Sequence, residues 1–531
     1  MYKSLLRNAS SDAPAIYFQN KTITHREMHQ SIRRMIAYFA KLGVREGDVV
    51  TVSLPNIPSS IYALYALNAL GAVQNIIHPL SPASEIIRTA KETNSVLTVV
   101  LSTLYKEHGK QFADSGIKTA FANPMYDVSL WTRTACNLKY GKIAETDMQY
   151  DMEHFRKEKA SPFICTRETS LPCIYLHSGG TTDVPKIIEL SADALNNLVA
   201  KADTIVPHGF AGKSAFAVLP MFHGFGLAMG IHAPLFHGAA CALMTKFNAK
   251  KTVGWINEGK ISFILGVPLL YQKLMKEPLF ADSKLQNIDC AFVGGDNVPP
   301  SLITAFDALM EQKGFEGRML EGYGLTETVT VCTVNTIAQT RAGSVGKALH
   351  GITLSVRDEN GKPLPCGELG EVYIAGDTLM NGYYRDAGAT ARTLVEYDGI
   401  TWVRSGDVGT LDQDGFLYLK SRIKRVFKIA GINIYPSEVE KIATDLQDDV
   451  RDAALELFET PKPHLTLFLI KNRTSTRTDE EIKADILQRI ETRLIKYCVP
   501  DKIVFLESFP QTKVGKTDHK AFRNTEQTWS E

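Results

Sequence analysis

The sequence predicts a layered α/β fold that ends in a small, separate α/β unit. Three observations carry this expectation. Helical and strand patterns alternate through the first hundred residues and again from Cys173 to about Val345, which is how largely parallel sheets covered by helices read. Strand patterns without intervening helices then occupy residues 352–419. After a basic stretch at 422–428 come one helix and three strands, enough for a domain of its own. The 531 residues leave room for roughly two to four units with real cores. The expected division is a large unit of layered α/β subdomains plus a β-rich subdomain at 1–423, and a small mobile lid at 424–531.

The elements can be justified in order. Thr24 and Glu27 have the spacing of a capping box, and Met28, Ile32, Met35, Ile36 and Phe39 mark one helical face that Gly43 closes. Gly47 and Asp48 turn into a strand at 49–52. A buried helix is expected at 59–71, a strand at 75–78, a helix opened by Ser81 and Pro82, and an apolar strand at 96–101. Residues 105–162 hold charge clusters and no legible motif. Residues 214–245 lack Asp, Glu, Lys and Arg, but Pro220, Pro234, three histidines and several glycines break the run. It reads as buried strand, turn, helix and strand rather than a membrane span. In the β-rich part, strands are expected at 352–356, 370–374, 401–403 and 416–419. In the last unit a helix begins near Pro436, Ser437 and Glu438, with strands at 453–457, 465–470 and 503–506.

Composition excludes several classes. A net charge of +1 gives no electrostatic reason to expect nucleic acid or an anionic membrane as partner. The eight cysteines are scattered and form no C-x-x-C pair, so neither a zinc site nor a redox couple is signalled. Buried, reduced thiols in a cytoplasmic protein are the expectation. No secretory signal is visible.

Chemistry concentrates first in Leu176-His177-Ser178-Gly179-Gly180-Thr181-Thr182-Asp183-Val184-Pro185-Lys186. Glycines let backbone N–H groups approach an anion closely. Ser and Thr add donors, and lysine adds a mobile charge. Together they suit a polyphosphate cradle. The loop G-x-x-x-x-G-K-[ST] does not fit, because its lysine follows glycine and opens a helix. Lys186 follows Pro185 and precedes the strand-like Ile187, Ile188 and Leu190. The loop is therefore expected to join two strands and to hold phosphate without a helix N-terminus.

Further motifs come in a fixed order: Leu219-Pro220-Met221-Phe222-His223-Gly224, Gly294-Gly295-Asp296, Glu321-Gly322-Tyr323-Gly324-Leu325-Thr326-Glu327-Thr328, Gly343-Ser344-Val345-Gly346-Lys347, Ser405-Gly406-Asp407, Ser421-Arg422-Ile423-Lys424, residues 431–440, and Pro510-Gln511-Thr512-Lys513-Val514-Gly515-Lys516. Each is weak alone. In this order and spacing they resemble the core motifs of the adenylate-forming enzymes, the superfamily of acyl-CoA synthetases, peptide-synthetase adenylation domains and firefly-type luciferases. The resemblance runs from about residue 66 to Lys516 and is nearest to the acyl-CoA synthetases.

The resemblance implies a ligase acting in two half-reactions. A carboxylate attacks the α-phosphate of ATP to give an acyl-adenylate and pyrophosphate, and a thiol then displaces AMP. It implies ATP, magnesium and coenzyme A as cofactors. Ser178, Gly179, Gly180, Thr181, Thr182 and Lys186 match the loop on the β- and γ-phosphates. Tyr323 and Gly324 would lie by the adenine, Thr326 on the α-phosphate, and Glu327 on the metal. Gly294, Gly295 and Asp296 would lie beside the adenine and acyl pocket. Asp407 matches the ribose-binding aspartate, its carboxylate suited to two hydroxyls, with Arg422 nearby. His223 matches a position that gates the acid; an ionised acid needs no general base. Lys516 matches the lysine that bridges carboxylate and α-phosphate, where an ammonium lowers the repulsion between two anions. Lys424 matches the hinge, and Gly431 the loop that admits a pantetheine arm once the small domain has rotated.

This chain also departs from the pattern. Asp183 stands where a glycine is usual, and a carboxylate beside a triphosphate is repulsive unless turned away. Ile187 replaces a glycine, Arg425 stands in place of a common acid, and Ser405 and Leu325 are mild changes. Residues 222–230 carry no acid to pair a substrate ammonium, which disfavours an amino acid. Phe225, Leu227, Met229, Val329, Val331 and Cys332 read equally as an apolar acyl pocket or as core. A hydrophobic acid of fatty or aryl type, as in fatty acid metabolism, is the default. Two alternatives stay open: loading of an acyl or aryl group onto a carrier protein's phosphopantetheine, and a nucleotide-binding homologue impaired by Asp183.

Overall fold

Two large sheets with parallel centres carry most of the chain. In the computed structural model the described residues are 1–126, 128, 130–178, 186–429, 432–458, 464–511 and 517–524; the side chains at 130, 133, 424, 432, 433, 520, 523 and 524 lie outside the description. Among these residues one sheet has nine strands, in the order Lys347–Ala348, Val331–Val334, Met319–Gly324, Cys290–Val293, Phe263–Gly266, Ser214–Ala217, Ala240–Leu243, Pro14–Phe18 and Lys21–Thr24. Its centre is parallel and both ends are antiparallel. The other has eight, in the order Gly382–Tyr383, Ile187–Ser191, Pro172–His177, Val73–Ile76, Val49–Ser53, Ser95–Leu101, Lys118–Ala122 and Gln149–Asp151.

The helices between them are built as their sequences dictate. His25–Lys41 starts in a full capping box: Thr24 Oγ1 accepts from the Glu27 N–H and Glu27 accepts from the Thr24 N–H. Its apolar face, Met28, Ile32, Met35, Ile36 and Phe39, is fully buried. Pro58–Leu70 is apolar on nearly all sides and buried throughout the core. One strand lies two residues upstream of its expected place: Val73–Ile76 pairs between Val49–Ser53 and Pro172–His177, and residues 77–78 leave the sheet. Within residues 214–245 the expected order holds, but the helix is of the wide π type over Phe225–His232 before it tightens into Ala233–Phe236.

A five-stranded antiparallel sheet (Ile352–Arg357, Gly370–Gly376, Leu394–Tyr397, Ile400–Leu411, Leu417–Arg422) follows. The last part has the helix Pro436–Thr444, with proline at its first turn, and the sheet Val450–Phe458, His464–Lys471 and Lys502–Phe505. This sheet packs on its own apolar cluster, with Leu455, Leu467 and Ile486 fully buried. Ser437 Oγ donates to the Lys420 carbonyl, and Lys420 pairs with Glu438, tying that helix to the strand Leu417–Arg422. The fold is thus α/β with a β-rich part, as the sequence predicts. The cysteines are unpaired, six of them buried. No helix among the described residues is long and apolar enough to cross a membrane.

Candidate active site

Four of the motifs lie at the carboxyl ends of strands in the two large sheets, where open α/β sheets place their sites. Ser178 follows Pro172–His177, the His223 segment follows Ser214–Ala217, Gly294 follows Cys290–Val293, and Tyr323 ends Met319–Gly324.

The strands on either side of the Gly/Thr-rich motif are paired. Pro172–His177 and Ile187–Ser191 are antiparallel, with His177 opposite Ile187. Ser178 and Lys186 close it: the Ser178 N–H donates to the Lys186 carbonyl and the Lys186 N–H to Ser178 Oγ, both at 2.9 Å. Gly179, Gly180, Thr181, Thr182 and Asp183, between them, lie outside the described residues. His177 Nε2 meets Asn75 Oδ1 at 2.8 Å, and the Asn75 amide donates to Thr51 Oγ1 at 2.9 Å. Asn75 therefore accepts from the ring, which fixes the proton on Nε2. Burial, aided by Arg88, lowers the His177 pKa to about 4.

Tyr323, Asp407 and Arg422 form a junction from separate segments. The Tyr323 hydroxyl donates to Asp407 Oδ2 at 2.6 Å, and Arg422 Nε sits 2.9 Å from Asp407 Oδ1. Burial first, and the Asp407 charge second, push the Tyr323 hydroxyl far above its ordinary pKa, so it remains a donor. Ser405-Gly406-Asp407 lies inside the strand Ile400–Leu411 rather than in a surface turn. Glu371 holds it there, accepting from the Gly406 N–H at 3.2 Å and pairing with Arg404 at 2.7 Å.

Thr326 and Glu327 sit in the short 3-10 turn Thr326–Thr328. The chain then makes a strained reversal. Val329 has φ 67° and ψ −58°, and the Thr330 N–H donates to the Thr328 carbonyl at 2.9 Å, a γ-turn rarely adopted by a β-branched residue. Two glycines make room for it. A Cβ on Gly224 would stand 1.9 Å from the Val329 oxygen, and one on Gly324 would stand 1.4 Å from the Thr330 oxygen. The segment carrying half-buried His223 is thereby pressed against the turn carrying Glu327. Of the apolar candidates, Leu227, Val329 and Cys332 are fully buried and Met229 nearly so, while Phe225 and Val331 are half-buried. The first four are core.

Exposed Asp296 follows Gly295 and faces the last part of the chain, where it raises the pKa of Asp452 together with burial, the larger cause. Gly294 packs on Gly322, whose oxygen would lie 2.6 Å from an added Cβ. Lys424 lies in the turn Ile423–Arg425, its side chain outside the description; Gly431 and Lys516 are outside the described residues. Arg425 finds an acid of its own, pairing with Glu440 at 2.6 Å.

Two site residues carry no local signal. Buried Asn56 clamps the Leu219-to-Gly224 segment, donating to the carbonyls of Ala217 at 3.0 Å and Leu219 at 2.8 Å and accepting from the Met221 N–H at 3.1 Å. Tyr383 donates to Glu327 Oε1 at 2.8 Å. Both contacts span more than fifty residues, so only a motif catalogue naming them, not spacing, could have flagged them.

Comparison with known proteins agrees with this geometry. The sequence pattern of the AMP-binding enzyme family matches residues 6–384. A 4-coumarate–CoA ligase 2 of Solanum tuberosum is 25% identical over 520 residues, covering 95% of this chain and 89% of that protein. A long-chain-fatty-acid–CoA ligase of Haemophilus influenzae is 25% identical over 542 residues, covering 97% and 92%. ATP-bound MatB from Rhodopseudomonas palustris has a similar fold, with TM-score 0.86 at 20% identity over 99% of this chain and 98% of that one. An anthranilate CoA ligase, AuaEII, solved with anthranoyl-AMP, has TM-score 0.85 at 19% identity over 99% and 97%. With a family match across most of its length, the chain belongs to the AMP-binding enzyme family, the adenylate-forming ligases.

Proposed function

We propose that the chain activates a hydrophobic carboxylic acid with ATP and passes the acyl group to coenzyme A. A carboxylate oxygen bonds to the α-phosphorus as pyrophosphate leaves. The thiolate then bonds to the acyl carbon as AMP leaves. The observation that carries this reading is the Tyr323–Asp407–Arg422 junction, which offers a carboxylate, already oriented by two donors, where a ribose needs acceptors for two hydroxyls.

The other roles rest on position. Thr326 supplies a hydroxyl donor beside the α-phosphate. Ser178, the loop that follows it and Lys186 take the outer phosphates. Lys516 screens the two anions as they meet. His223, beside half-buried Phe225 and Val331, faces the acid. The small unit from 424 onward turns between the two steps, with Lys424 at the hinge and Gly431 leading the thiol's path.

The residues present suit a magnesium ion. Glu327 keeps one carboxylate oxygen beyond its bond to Tyr383. Among the described residues no cluster of three His, Cys, Asp or Glu could hold a metal unaided. That suits a cation shared with nucleotide phosphates, as magnesium usually is. Bound there, it would neutralise charge on the phosphates.

A panel of fatty and aryl acids, read by ATP-dependent pyrophosphate release and then by thioester formation, tests the proposal. We expect release with at least one hydrophobic acid and a thioester with coenzyme A. Strong preference for a carrier protein's phosphopantetheine would overturn the acceptor. No release with any acid would favour a nucleotide-binding homologue without activity.

A further inference from the structure

We infer that Tyr383 is a positioning residue that orients the Glu327 carboxylate for the metal–nucleotide complex and couples it to Lys186 at the exit of the phosphate loop. The inference rests on the reading above, in which Glu327 holds magnesium, and adds a residue to which none of the motifs assigns a role.

The geometry has three parts. Tyr383 donates its hydroxyl to Glu327 Oε1 at 2.8 Å. A carboxylate held by one oxygen keeps its plane and leaves the other free, the usual way an outer partner orients a metal ligand. The Lys186 ammonium lies over the same ring, 4.5 Å from its centroid. A cation over the face of an aromatic ring is held there by the ring quadrupole, which links the position of the lysine to that of the ring.

The ring itself cannot drift. Gly382–Tyr383 pairs with the strand leaving the phosphate loop, with Tyr383 opposite Ile188. The Tyr383 N–H donates to Thr390 Oγ1 at 2.9 Å, and the Tyr384 N–H to the Ile187 carbonyl at 2.9 Å. On the other side, the Met380 N–H donates to the backbone carbonyl of Glu327 at 2.8 Å. One short segment thus grips the metal-site turn through backbone and side chain, and grips the loop's outgoing strand as well. A tyrosine kept only for packing would need neither the hydroxyl bond nor the lysine.

The test compares ATP binding with magnesium and with EDTA, by calorimetric titration of the full chain, in the wild type, Tyr383→Phe, Glu327→Gln and the double variant. Phenylalanine keeps the ring and its packing. The expected result is that Tyr383→Phe loses about tenfold of the affinity that magnesium adds, while binding in EDTA and the melting temperature stay put. In the double variant, Tyr383→Phe should add nothing to the loss from Glu327→Gln. A Tyr383→Phe protein that keeps the full magnesium effect, or losses that simply add, would overturn the inference while leaving the proposed function standing. A wild type that binds ATP equally well with and without magnesium would overturn the role of Glu327 itself.

Discussion

The phenol of Tyr323 and the carboxylate of Asp407 lie 2.6 Å apart although 84 residues separate them, and their bond joins the end of the nine-stranded sheet to the β-rich sheet. A hydrogen bond to a charged group is worth about 1.5–3 kcal/mol. Asp407→Asn should therefore raise the KM for ATP by roughly 10- to 100-fold, with a smaller fall in kcat at saturating ATP. Tyr323→Phe should cost less, because Arg422 still holds the carboxylate. Pyrophosphate release as a function of ATP concentration checks both. An unchanged KM in Asp407→Asn would remove Asp407 from the nucleotide site.

Glu321 makes stability depend on pH. Burial lifts its carboxyl from 4.5 to about 7, and Lys441, from the helix Pro436–Thr444, pulls it partly back. The folded state therefore holds a proton that the unfolded state has released. Stability falls as pH rises from about 4.5 to about 7, and the full penalty persists above that. Glu321→Gln should raise the melting temperature at pH 8 and leave it unchanged at pH 4. Equal gains at both pH values would mean the effect is packing rather than charge.

Gly224 and Gly324 should tolerate no side chain. An added Cβ at either position would overlap a backbone oxygen, which cannot rotate away as a side-chain tip can. Gly224→Ala and Gly324→Ala should each lose at least ~3 kcal/mol, the upper range for overpacking. Urea unfolding midpoints measure this. Wild-type midpoints would show that the turn at Val329 relaxes cheaply.

Lys516→Ala should separate the two half-reactions. Adenylate formation should fall by at least ~100-fold, the scale for losing one preorganised charge-stabilising group. Thioester formation from a supplied acyl-adenylate should persist. Equal loss of both steps would count against a small unit that turns between them.

The fold was legible where local signals coincide with burial. At Thr24 and Glu27 the cap and the apolar face beyond it agree, and the helix forms as read. Residues 105–162 were illegible for a physical reason. Their helix Leu130–Tyr140 leaves Trp131 at 85% and Leu138 at 81% exposure, so its apolar residues do not point to a core. The strand at Val73–Ile76 was read two residues late because Gln74, polar yet buried, does not look like the interior of an apolar strand. In the site, contiguous motifs could be read, and what they touch could not. Asn56, Glu371 and Tyr383 act through contacts set by tertiary pairing, which no periodicity encodes. Arg425, out of place as a sequence letter, has its counter-charge in Glu440.

His177 stays neutral as pH falls through the physiological range. With a pKa near 4 and its Nε2 proton given to Asn75, the ring at the mouth of the proposed phosphate site is uncharged throughout the physiological range. It is an electrically silent post, held by an internal ladder of Asn75, Thr51 and Ser95. Attraction of a polyanion to this mouth therefore draws no charge from His177. Acidification to pH 5.5 should accordingly leave nucleotide capture there no stronger than at neutral pH.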